Sequence, residues 1–72
     1  MDRRIRFIQT ELDSLNKALQ SALDLAGQWQ QNEQRGQDPA VPDASIRTMK
    51  LYVRGMRRNL DTIDGILDGT DD

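Results

Sequence analysis

The stretch RGQDPAVPD, residues 35–43, decides how this chain folds. Gly36 suits the left-handed position just past a helix end. Pro39 and Pro42 cannot continue a helix, and they stiffen the link. The segment therefore reads as a stop, a short linker of roughly seven residues, and a new start. Asp43 is the expected N-cap of that start, with Ser45 as its competitor. A linker this short makes the elements on either side antiparallel neighbours.

Those elements are helices. Before the linker, Ile5, Ile8, Leu12, Leu15, Leu19, Ala22, Ala26 and Trp29 recur at alternating steps of three and four. After it, Ile46, Met49, Val53, Met56, Leu60, Ile63 and Leu67 do the same. Both rows are unbroken a/d patterns of a heptad, the mark of helices packed along one seam. Folding the hairpin sets Trp29 opposite Ile46, Ala22 opposite Val53, Leu15 opposite Leu60, and Ile8 opposite Leu67. The expected fold is all-α: an antiparallel two-helix hairpin, coiled-coil-like, associating into a four-helix bundle. A single domain spans 1–72, with helix 1 at about 2–35, the loop at about 36–42, helix 2 at about 43–68 and an acidic tail at 69–72.

Apolar residues off the a/d rows point to a second face. Ala18 and Leu25 stand at g positions of the first helix, Tyr52 and Ile66 at g positions of the second. Leu23 flanks the other side of the seam, and Phe7 and Leu51 lie further round. An apolar face of this kind left in water marks an interface. The alternative is that the two helices rotate to cover it themselves. Lys50 and Arg57, at e positions, supply a charged rim that can meet acidic groups. The expected partner-binding residues are thus Ala18, Leu25, Lys50, Tyr52, Arg57 and Ile66. Met49 and Met56 are adaptable packing material facing the small residues of helix 1. Trp29 is expected to anchor the closed end.

Charge is split along the chain. The net charge is −2, unlike a dedicated nucleic-acid binder. Helix 2 nevertheless carries Arg47, Lys50, Arg54, Arg57 and Arg58 in one block, then Asp61, Asp64, Asp68, Asp71 and Asp72. A phosphate backbone could meet the basic block, but only Tyr52 offers stacking there and the acidic end repels phosphate. At the other end, Arg3, Arg4 and Arg6 open helix 1 against the positive end of its dipole, with Asp2 as cap. An antiparallel hairpin brings these arginines beside the acidic end, so pairing with Asp64, Asp68 and the tail is the expected answer to them.

Length and missing residue types narrow the function. Seventy-two residues bury a small core and need help from disulfides, metal or association. There is no Cys and no His, which removes disulfides, the commonest metal ligands and the commonest general base. No glycine-rich phosphate loop or calcium loop is present. The chain is expected to be non-enzymatic, without cofactor or metal. No apolar run approaches the roughly 20 residues of a spanning helix, and no signal peptide is evident after the basic start, so a cytoplasmic protein is expected. The expected function is a protein–protein interaction module: adaptor, regulator or chaperone subunit, its partner another protein or itself as a homodimer. A small nucleic-acid-binding regulator using helix 2 is the contrasting alternative.

Two hairpin families bear comparison. Secreted WxG-type hairpins carry Trp-x-Gly at the turn, whereas here Trp29 is followed by Gln30 and Gln31, and Gly27 precedes it. In size and layout the chain looks like the small co-chaperones of type III secretion. The QRGQDP turn, residues 34–39, carries the local part of that resemblance. It implies pairing with a second chaperone.

Overall fold

The computed structural model describes residues 2–70 and forms an antiparallel hairpin of two α-helices. Helix α1 spans Arg3–Gln34 and α2 spans Asp43–Thr70. The hairpin is long and thin, 54 × 18 × 15 Å. Asp71 and Asp72 of the expected acidic tail lie outside the described residues; Thr70 closes α2.

The turn is built by backbone chemistry that the linker residues permit. Gly36 takes φ +72°, the left-handed conformation. The Gly36 N–H then donates to the Glu33 carbonyl (3.0 Å) and the Gln37 N–H to the Asn32 carbonyl (2.9 Å). This is the paired bonding of a Schellman motif, and it satisfies carbonyls that the helix end would otherwise orphan. A side chain at position 36 would meet no neighbour, so the demand for glycine is one of backbone conformation alone. Asn32 reaches forward and donates from Nδ2 to the Ala40 carbonyl at 3.0 Å, tying the linker back onto α1.

The start of α2 differs from the sequence expectation. Pro42, not Asp43 or Ser45, holds the cap position. Its carbonyl accepts from the backbone N–H groups of Ser45 (3.0 Å) and Ile46 (3.1 Å). Asp43 becomes the first helical residue, where its negative charge complements the positive end of the dipole. Ser45 donates its hydroxyl to the Pro42 carbonyl at 2.6 Å.

The start of α1 also resolves locally. Asp2 is the N-cap, and its carboxylate accepts from the Arg4 backbone N–H at 2.9 Å. The Arg4 guanidinium folds back onto the same carboxylate, with Nη2 to Oδ2 at 2.6 Å. Among the described residues, no ion pair joins Arg3, Arg4 or Arg6 to Asp61, Asp64 or Asp68. For Arg4, the expected pairing across the hairpin is replaced by a contact two residues away, which costs far less chain ordering than bridging long side chains across the open end.

The largest difference lies in which rows face each other. Half-buried positions on α1 include Ile8, Glu11, Leu15, Ala18, Leu25, Trp29 and Asn32, with Ala22 the one fully buried residue among those described. On α2 they include Ser45, Met49, Tyr52, Met56, Asn59, Ile63 and Ile66. These are the d and g rows. The a rows are exposed, so the seam is d/g and not the expected a/d. The apolar stripe is three rows wide, a, d and g, which is broader than one neighbouring helix can cover. Two polar contacts select the d/g half. Trp29 donates from Nε1 to Ser45 Oγ at 2.8 Å, and Asn59 donates from Nδ2 to Glu11 Oε2 at 2.7 Å. The first sets Trp29 beside Ser45, one residue from the expected partner Ile46.

Gly36→Ala forces a Cβ into the left-handed region and is expected to lower unfolding stability by about 1 kcal/mol, read by denaturant titration, while Gly36→Asn costs less. The Asp2 carboxyl is lowered from 3.8 to about 2, first by the side-chain hydrogen bond from Arg4 and then by the backbone bond. Its contribution to helix stability is therefore complete above pH 3.8 and is lost as pH falls towards about 2. An NMR pH titration of this carboxyl is expected to show a midpoint of about 2, which Arg4→Ala raises.

Candidate interaction face

Rotation onto the d/g seam leaves one row of each helix open. On α1 this is Ile5, Leu12, Leu19 and Ala26; on α2 it is Ile46, Val53, Leu60 and Leu67. The large residues of these rows are 36–54% exposed. In an antiparallel pair, the same flank of each helix lies on the same side of the seam, so the two rows form one face. Trp29 of α1 lines a shallow groove together with Ile46 and Val53 of α2, which joins the rows across the seam. Leu23, 56% exposed, extends the face outward on α1.

Charge borders this face on α2 and changes sign midway. Near the turn, the groove has a floor of Trp29, Ile46, Met49 and Val53 and a rim of Lys50, Arg54 and Arg57. Towards the open end, a second groove has a floor of Leu60, Ile63 and Leu67 and a rim of Asp61 and Asp64. Arg47, Lys50, Leu51 and Arg54 line a further depression round the outer side of α2. The lane is continuous in its apolar character and opposite in charge at its two ends.

The residues singled out in the sequence divide between two places. Ala18, Leu25, Tyr52 and Ile66 are half-buried in the d/g rows, on the side where the helices meet. Lys50 and Arg57 are exposed and border the turn-end groove. The open face itself is made of a-row residues that the heptad pattern had assigned to the seam. Arg54, Asp61 and Asp64 complete the rims. A signal for this was present: Glu11, Asn32, Ser45 and Asn59 all stand at g, and each finds a hydrogen-bond partner in the d/g arrangement.

No group of three or more metal-ligating side chains stands together among the described residues. No described helix is long and apolar enough to cross a membrane. Compared with protein-family models, curated proteins and solved structures, the chain matches none.

Trp29 links the seam to the open face, because its indole N–H is held from within while its ring lines the groove. Ser45→Ala leaves that N–H without its acceptor and is expected to cost about 1 kcal/mol. A double-mutant cycle with Trp29→Phe, followed by urea unfolding, gives a coupling of about 1 kcal/mol if the bond persists in solution. Additive losses would show that it does not.

Proposed function

We propose that this chain is a non-catalytic protein–protein interaction module that works through its a-row face. It contributes two helices to a four-helix bundle, as a small adaptor, regulator or chaperone subunit. The observation that carries the reading is the exposure of seven large aliphatic a-row residues, from Ile5 to Leu67, on one side of a hairpin that buries only Ala22 among its described residues. Apolar patches of this extent on small proteins serve binding. A hairpin this thin gains most of its stability when a further pair of helices covers the open row.

The basic block of α2 serves this role as a rim. Lys50, Arg54 and Arg57 surround an apolar floor, and the same lane turns acidic after Asn59. A rim of charge around an apolar centre sets orientation and excludes wrong partners. Phosphate binding would use the basic half and be opposed by the acidic one.

The reading is tested by placing a photo-crosslinking amino acid at single positions in cells. At Leu19 and Val53, on the open face, covalent protein adducts are expected. At Thr10 and Arg58, on the outer surface, they are expected to be several-fold weaker. Adducts of equal yield at all four positions, or none at Leu19 and Val53, would overturn the assignment of the face.

A further inference from the structure

The lane on α2 carries, along its own length, the complement of its own charge. Lys50, Arg54 and Arg57 border its first half. Asp61 and Asp64 border the second, with exposed Asp68 on the same side one turn further. Reversed about Asn59, Arg57 falls on Asp61, Arg54 on Asp64 and Lys50 on Asp68. We propose that the open face is occupied by a second copy of this chain, related by a twofold axis perpendicular to the helices. Helix α2 then runs antiparallel to α2 of the second copy, crossing it near Asn59 and Leu60. This rests on the docking role of the face and names its occupant.

The first helix is compatible with a twofold axis of the same kind. Its open row reverses onto itself between Leu12 and Leu19, which pairs Ile5 with Ala26 and centres the row at Leu15 and Asn16. The Asn59–Glu11 hydrogen bond sets the centre of the α2 charge pattern beside Glu11, about one helical turn from the centre of the α1 row. A closed, self-complementary contact requires one twofold axis, and the α2 charge pattern sets where it passes.

Size permits it as well. The outline of the broad side, 54 by 18 Å, bounds a contact at about 970 Å², against roughly 800 Å² per partner in a standard stable interface. The other twofold stacking keeps both turns at the same end and lays α2 over α1 of the second copy. At the level set by the Asn59–Glu11 bond, that arrangement brings Arg6 to Asp64 and Asp13 to Arg57, but leaves Lys50 and Arg54 facing Gln20 and Asn16. The antiparallel stacking gives each of Lys50, Arg54 and Arg57 an acidic partner.

The experiment uses the whole 72-residue chain, with light scattering for mass and circular dichroism to show that each variant stays helical. The unmodified chain is expected to pass from 8.2 kDa to twice that mass with rising concentration, more readily at low ionic strength. The triple variant Lys50→Glu, Arg54→Glu, Arg57→Glu makes the lane acidic throughout. The triple variant Asp61→Lys, Asp64→Lys, Asp68→Lys makes it basic throughout. Each alone is expected to self-associate roughly tenfold or more weakly, and an equal mixture is expected to recover dimers. The chain has no cysteine, so Leu60→Cys, close to the axis, is expected to give a disulfide-linked dimer on oxidation, whereas Ile46→Cys, far from it, is not. A helical chain that stays at 8.2 kDa at every concentration overturns the proposal. If photo-adducts with a different protein still form at Leu19 and Val53, the docking role stands and only its occupant is wrong. A dimer in which Leu60→Cys does not cross-link, or in which mixing the charge variants restores nothing, also overturns the antiparallel arrangement.

Discussion

The structure depends on one constraint: an apolar stripe three rows wide cannot be covered by a single neighbouring helix. Rows a and d are apolar from Ile5 to Trp29 and from Ile46 to Leu67, and the g rows add Ala18, Leu25, Tyr52 and Ile66 among polar residues. A lone hairpin must choose two of the three to bury, and an apolar row left in water forfeits roughly 25 cal/mol per Å² of the stabilisation it could give. The choice falls to the polar residues interleaved in the stripe. Glu11 and Asn59 meet across the seam, and Trp29 meets Ser45. With d and g inside, these groups satisfy one another at part-buried sites. With a and d inside they would face water, and Trp29 would lack its acceptor on α2. A few hydrogen bonds, each modest, thus decide which hydrophobic row is presented outward.

The closed end makes that choice reproducible. The Schellman bonds at Gly36, the Asn32 bond to the Ala40 carbonyl and the Ser45 bond to the Pro42 carbonyl all lie within one turn of the linker. They fix where α2 begins relative to α1, and hence which residue of α2 lies beside Trp29. From there the register propagates along the two helices. The open end has no comparable device among the described residues. Arg4 is engaged with Asp2 on its own helix, and Asp61, Asp64 and Asp68 of α2 remain exposed there. The hairpin is therefore specified from the turn outward.

Much of this was legible in the sequence, and the reasons are local. The linker chemistry of Gly36, Pro39 and Pro42 and the three–four spacing of aliphatic residues require no knowledge of distant contacts. The helices, the turn and their antiparallel sense are direct consequences. The choice of seam is not local. Spacing favours a and d, whose apolar rows are unbroken, over g, where polar residues interrupt the apolar ones. What it passed over was Glu11, Asn32, Ser45 and Asn59 recurring at g, whose meaning emerges only when both helices are considered together. The same holds for the arginines of α1. Helix-end electrostatics identified the problem they pose, but the nearest carboxylate, Asp2, answers Arg4 at a separation of two residues, and distant acids were not required.

A hairpin whose single fully buried residue, among those described, is Ala22 has little with which to hold its backbone closed. Local opening in such a chain lies near the bottom of the stability scale, and proteases act on what opens. Anything that binds the folded hairpin and not the open chain raises its stability in proportion to occupancy. The thinness of the core thus ties the lifetime of each molecule to whether its open face is covered. Under the proposed docking role, unassembled copies would be cleared and assembled ones kept, so the quantity of this protein in a cell would track the quantity of complex it can enter.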